Sequence, residues 1–374
     1  MLSNWADISN YRPEAMPYPE LGLTVTTDKT IALVMIARNE ARCIGRCLKS
    51  VAPWVDHMIV LDTGSSDQTI AIARSFGAEV YHFSWCDDFS AARNAALDLS
   101  HADWNLVLDA DEWLISGGPL LRSISRQKDA FADQHFVGAV LVESSFDNTS
   151  RMDEAASWLT RLLPREVRFS GAIHEQPVHT HPRRQLEIRI GHDGYENEQH
   201  KRKQGRNQAL LQQALITHPD DPYLHYQFGK ELEVGHRFSQ VCGYYRTALS
   251  RSGPDQSWHH DLVVRMLYCL KMTGQFEEGL ILAQQVQDHY ATSPDYYFVL
   301  GDLLLDMALS QPDQAADSLG MIEECWLTCL QLGERPEWEG AVKGRGSFLA
   351  SHNLHAFYTS IGATDKARLY TPLD

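Results

Sequence analysis

Two carboxylates one residue apart, Asp109 and Asp111, close the apolar run Asn105-Leu106-Val107-Leu108. At the exit of a strand both can reach one hard cation, and such an ion, held by one or two carboxylates, is commonly completed by phosphate oxygens of a substrate. On Asp-Ala-Asp alone, a solvated acidic turn is the plainer reading. Two more polar clusters raise the odds of a site: Arg38-Asn39-Glu40, and Asp62-Thr63-Gly64-Ser65-Ser66-Asp67. Each follows a short apolar run, so all three sit where strands end.

The elements that must position these clusters are legible in the hydrophobic pattern. Ile31 to Ile36, His57 to Asp62, Glu79 to Phe83 and Asn105 to Leu108 read as strands. Glu40–Val51, Thr69–Phe76 and Ala91–Leu99 read as the helices between them. This alternation predicts a doubly wound α/β sheet, in which ligands bind beyond the carboxyl ends of the strands. Residues 136–195 read as β-rich, with strands at Val137 to Val142, Val167 to Phe169 and Leu186 to Ile190 and polar, histidine-bearing stretches around His174-Glu175 and His192. From Lys201 onward helical patterns take over. Pro222 to Pro254 and Leu262 to Pro294 repeat a helix–turn–helix pattern of about 34 residues, the tetratricopeptide period, and a third copy begins near Tyr297. The expected organisation is an N-terminal arm over residues 1–28, an α/β domain over 29–200 and an all-α repeat domain over 201–374.

Bulk composition narrows the classes. With 374 residues, 44% hydrophobic and 22% charged, the chain reads as a globular protein of two domains. A formal net charge of −16 disfavours nucleic acid and anionic membrane surfaces as partners. No leader pattern opens the chain and no apolar run is long enough to span a bilayer, so a cytoplasmic location is expected. Seven cysteines with no Cys-x-x-Cys pair read as buried free thiols.

Taken together, Ala37-Arg38-Asn39-Glu40, Asp62 to Asp67, Asp88-Phe89-Ser90-Ala91-Ala92-Arg93-Asn94 and Asp109-Ala110-Asp111-Glu112 resemble the motifs of family 2 glycosyltransferases with the GT-A fold, a Rossmann-like nucleotide-diphospho-sugar transferase domain. The resemblance covers roughly residues 30–200. With the tetratricopeptide-like tail, the whole resembles the bacterial group that includes the glycocin S-glycosyltransferases. It implies nucleotide-sugar contacts from Ala37, Arg38, Glu40, Asp62, Arg93, Asp109, Ala110 and Asp111. It also implies a divalent cation, Mn2+ or Mg2+, at Asp109 and Asp111, with His192 as a further ligand. For His192, a histidine satisfied within a Gly-rich turn is an equal alternative. Thr63 stands where relatives often carry a second acid, which loosens any inference about the base.

Inverting transfer needs a base for the acceptor proton. Glu175 is the candidate and His174 the alternative, with Glu112 and Asp193 as rivals; a structural partner of Arg161 or Arg165 is the plainer role for Glu175. The expected function is metal-dependent, inverting transfer from a nucleotide diphosphate sugar, a uridine diphosphate sugar first, to a peptide, protein or glycan acceptor presented by the repeats. The alternative is a helical-repeat scaffold whose sugar-nucleotide domain only binds. A nucleotidyltransferase would need a Gly-rich loop with a lysine after the first strand, which Ala37-Arg38-Asn39-Glu40 is not. The residues name neither the sugar, the acceptor, the stereochemical outcome (inverting or retaining) nor the oligomeric state; a homo-oligomer is compatible with them.

Overall fold

The computed structural model describes residues 29–126, 136–148, 151–193, 197–312 and 315–371; the expected arm, residues 1–28, lies outside them. Four parallel strands lead: β1 (Ile31–Ala37), β2 (His57–Asp62), β3 (Glu79–His82) and β4 (Trp104–Val107). Between them run α1 (Ile44–Val51), α2 (Thr69–Ser75) and α3 (Phe89–Asp98). β1 and β4 are buried on both faces, which is why they read as unbroken apolar runs. The expected helix from Glu40 begins only at Ile44, because Glu40 and Ala41 give their amides to Thr69 Oγ1 and Asp67 Oδ2 of the neighbouring loop.

Beyond β4 the sheet turns mixed. β5 (Glu112–Ser116), α4 (Gly118–Ser125), β6 (Val137–Asn148), β7 (Arg151–Pro164) and β10 (Arg183–Asp193) complete an eight-stranded order of β3-β2-β1-β4-β7-β6-β10-β5. A separate hairpin pairs β8 (Arg168–Ser170) with β9 (Gln176–Val178). Local pattern did not disclose β5, β7, β9 or α4. β7 carries Arg151, Asp153, Glu154 and Arg161, and its strand character comes from long antiparallel pairing with β6 rather than from clean alternation.

Among the described residues the elements that follow are helices: α5 (Asn197–Thr217), then α6 (Pro222–Val234) with α7 (Phe238–Leu249), α8 (His259–Met272) with α9 (Phe276–Tyr290), α10 (Pro294–Ser310) with α11 (Ala315–Leu332), and α12 (Phe348–Ser360) with α13 (Thr364–Arg368). Small residues set the close helix crossings. A Cβ on Gly229 would lie 2.2 Å from the Tyr245 ring, and one on Gly301 would lie 2.7 Å from the Trp326 indole. The third copy is therefore a full pair, and a shorter fourth pair follows it. The architecture is the expected GT-A sheet followed by an all-α tetratricopeptide-like region. Among the described residues no helix is long and apolar enough to cross a membrane. Of the seven cysteines, six are buried as expected, whereas Cys86 is exposed in the loop before α3.

The two parts share a core. Ile173, in the loop between β8 and β9, is 3% exposed and packs with Leu211, Tyr226, Tyr245 and Met266 of the helices. Phe89, at the start of α3, packs against the same cluster, and its amide donates to Ala172 O at 2.8 Å. The Gln176 amide nitrogen donates to the Tyr223 hydroxyl at 2.7 Å. The loop carrying His174 and Glu175 is thus clamped between sheet and helices.

Candidate active site

The site gathers at the carboxyl ends of β1, β2 and β4. At the first exit Asn39 adopts φ +57°, a conformation asparagine tolerates better than most residues. Its side-chain oxygen accepts from Ser66 N at 2.8 Å, and its own amide donates to Ser65 Oγ at 2.9 Å. The loops after β1 and β2 are thereby latched together. Asp62 is 2% exposed, and its carboxylate accepts from the amides of Gly64 and Ser65, both at 3.0 Å. It holds the turn, with no oxygen turned to solvent. Arg38 is exposed, while Ala37 and Ala110 are buried.

Asp109 lies at the centre. Its two oxygens are taken by two arginines: Arg93 Nη2 donates to Oδ1 at 2.7 Å, and Arg161 Nη2 donates to Oδ2 at 3.0 Å. These guanidiniums outweigh burial and hold its carboxyl far below the usual range. Arg93 also donates through Nε to Glu175 Oε1, so Glu175, Arg93 and Asp109 form one chain. Arg161 also donates to Glu112, which is 2% exposed and accepts from the Asp109 amide at 2.9 Å. Burial and the nearby Asp109 keep the Glu112 carboxyl above its ordinary range in spite of Arg161.

Arg161 owes its aim to a β-bulge. Leu162 pairs with Gly138 and Thr160 with Ala139, so Arg161 is the extra residue of β7. A bulge re-aims a side chain and is favoured next to active sites. In the sequence Arg161 suggests only a partner for Glu175, and no local pattern announces a bulge.

Asp111 and His192 are brought together by β5 and β10. His192 pairs across from Glu112, and the Asp193 amide donates to Asp111 O at 3.0 Å. The neighbouring Gly191 is required: a Cβ there would lie 2.3 Å from the Trp113 indole, whose ring lies 3.6 Å from the Arg46 guanidinium carbon. Arg42 and Arg46 both bind Asp193, at 2.7 and 2.9 Å. His192 Nε2 then stands 3.6 Å from Asp111 Oδ2. Burial works against its protonation, but Asp111 and the neighbouring acids prevail and raise its pKa.

This pair suits a hard divalent cation. Ligands about 2.1 Å from one ion stand about 3 Å or more apart, close to the observed separation. Among the described residues no three His, Cys, Asp or Glu side chains converge as a closed cage, so an ion here would draw further oxygens from a bound ligand or water. Asp109 differs, because both its oxygens already serve arginines.

The two candidate bases part company. Glu175 turns to Arg93 and the sheet. His174, at φ +49°, has a buried Nε2 with no hydrogen-bond partner, and burial together with Lys230 pushes its pKa down to about 4. Of the rivals, Glu112 is buried in its ion pair and Asp193 is held by two arginines. Glu175 is partnered by Arg93, and not by Arg161 or Arg165.

Residues 32–178 match the family model of glycosyl transferase family 2. A TPR repeat-containing protein of Synechococcus elongatus is 33% identical over 266 residues, which span 67% of this chain and 64% of that protein. The SPbeta prophage-derived glycosyltransferase SunS of Bacillus subtilis is 26% identical over 293 residues, 74% of this chain and 68% of its own length. An uncharacterized glycosyltransferase of Rickettsia felis is 40% identical over 84 residues, 22% of this chain and 29% of that protein. The chain thus spans just under two thirds of the first of these relatives. The sheet, its polar strand exits and the family match agree: residues 32–178 of this chain are a glycosyl transferase family 2 domain, joined to tetratricopeptide-like helices.

Proposed function

We propose that the protein is a metal-dependent, inverting glycosyltransferase that moves a sugar from a nucleotide diphosphate donor, a uridine diphosphate sugar first, to a peptide, protein or glycan acceptor. The observation that carries this reading is the pairing of Asp111 with His192 at 3.6 Å beside an Asp109 fixed by Arg93 and Arg161. Asp111 and His192 would hold the cation, Mn2+ or Mg2+. When bound, it offsets the negative charge that develops on the departing diphosphate.

The chain's own residues supply the rest. The latched loops after β1 and β2 form the wall for the nucleotide base, with Asp62 fixing the turn from within. Asp109, immobilised by two guanidiniums, presents a rigid carboxylate edge to the donor, and its 37% side-chain exposure keeps that edge open. Preorganised charge of this kind needs little rearrangement during reaction. Glu175 takes the acceptor proton at Oε2 while Oε1 stays on Arg93, so the base and the donor-side carboxylate are held by one guanidinium. The helices, through Ile173 and Tyr223, keep this base in register. The N-terminal arm 1–28 and a division near residue 200 remain part of the same proposal for domain organisation.

The test is a thermal-shift series with uridine diphosphate in the presence and absence of Mn2+, followed by donor hydrolysis. A ligand at a hundred times its dissociation constant stabilises by about 2.7 kcal/mol. Asp111→Asn and His192→Ala should each abolish the metal-dependent part of the shift and slow hydrolysis. A full metal-dependent shift in both variants would place the cation elsewhere.

A further inference from the structure

We propose that the cavity in the seam between sheet and helices is a saccharide-binding pocket, separate from the donor site, that seats one neutral sugar ring. Its volume is about 180 Å³, and its walls include Trp158 and Arg183 from the sheet and His260, Tyr290, Trp338 and Glu339 from the helical part. At a share of about 30 Å³ per water, this is the space of a few waters or one pyranose.

Much of the wall is fixed by contacts among its own side chains and with the neighbouring backbone. Trp158 Nε1 donates to Pro336 O at 2.7 Å, which ties the indole by its edge. Arg183 Nε donates to Thr160 Oγ1 at 3.2 Å. Trp338 stacks on His260 with ring centroids 4.7 Å apart and meets Tyr290 edge-on at 5.5 Å. His260 Nδ1 donates to Glu339 O at 2.7 Å, while its Nε2 accepts from Ser293 Oγ at 2.7 Å. Gly340 follows at φ +74°, and a Cβ there would lie 2.1 Å from Asp261 Oδ1. The backbone of Glu339 is therefore pinned on both sides.

Its carboxyl group is not. Among the described residues it has no hydrogen-bond partner, although it lines the cavity. Burial and Asp261 push its pKa up to about 7, against the pull of Lys230 and Arg183. Glu339 is half-buried, and its carboxyl is not among the buried groups that lack a partner, so water can serve it in the cavity. The hydroxyls of a ligand could take over those hydrogen bonds. Near neutrality such a group both donates and accepts, which suits a hydroxyl. Indole rings suit the apolar face of a sugar ring, and Arg183 stands with Glu337 and Glu339 in the same wall, so hydroxyls meet both donors and acceptors there. A neutral polyol meets all three conditions.

The experiment is saturation-transfer NMR on the full chain with glucose, galactose, mannose, N-acetylglucosamine and their β-linked disaccharides. A lysine-rich peptide serves as the competing class. At least one saccharide should bind, and Trp338→Ala should weaken it at least tenfold. Glu339→Gln should weaken it severalfold while leaving the fold intact. Uridine diphosphate binding in both variants should match the parent protein, so failure here is distinguishable from failure of the donor-site reading. Binding of no saccharide, binding unaffected by both variants, or capture of the peptide alone would overturn the proposal.

Discussion

Arg161→Met isolates the group that the bulge in β7 delivers to the site. Arg161 and Glu112 have side-chain exposures of 11% and 2%, which puts their ion pair in the buried regime, while Asp109 keeps 37%. Removing one member of a buried pair costs about 3–5 kcal/mol, because the other charge is left uncompensated. Asp109 retains Arg93 and is partly solvated, so the lower end, about 3 kcal/mol, is expected here. For a cooperative unit the size of the sheet region, each kcal/mol lowers the melting temperature by about 2–4 °C, giving a drop of about 6–12 °C. The assay is thermal unfolding followed by circular dichroism, run beside the double variant Arg161→Met/Glu112→Gln. Neutralising Glu112 removes the stranded charge, so the double variant should regain at least half of the loss. A single variant within about 1 kcal/mol of the parent, as for a solvated surface pair, would refute the reasoning. So would a double variant no more stable than the single one.

Further outcomes follow from the same geometry. Gly191→Ala drives a methyl into the Trp113 indole and should cost about 1–3 kcal/mol by overpacking, read by chemical denaturation. Tyr223→Phe removes the hydroxyl that receives the Gln176 amide; turnover should fall with the donor KM unchanged, since the contact fixes the Glu175 loop and not the nucleotide wall. Glu175→Gln should lower transfer to a hydroxyl acceptor by at least a hundredfold, the scale of general-base catalysis, about 10²–10⁴-fold, with uridine diphosphate binding retained. His174 is neutral in the fold, with its pKa pushed down to about 4 from 6.5. The unfolded chain therefore binds the extra proton first as pH falls, and stability should decline between pH 6.5 and 4. That part of the decline should vanish in His174→Gln, as measured by denaturant midpoints across the range.

Much of this protein was written locally. The runs around Val34, Val60 and Leu106 are apolar because their strands are buried on both faces, so the parallel half of the sheet and its polar exits were legible. The repeats were legible for a similar reason, since Gly229, Gly279 and Gly301 recur where helices cross closely. Residue type and order also brought Asp62, Arg93, Asp109 and Asp111 into view together. Tertiary structure decided how they are used. Asp62 turns inward onto its own loop, because two backbone amides lie within reach of its carboxylate. Arg161 enters the site through a bulge, a property of strand register and not of composition. His192 meets Asp111 only because β10 pairs antiparallel with β5 across 80 residues of chain. Glu175 and His174, adjacent in sequence, face different neighbours because Ile173 is anchored in the helical core. Long-range pairing and the packing of one part on the other set these directions, and neither leaves a periodic trace in the residues themselves.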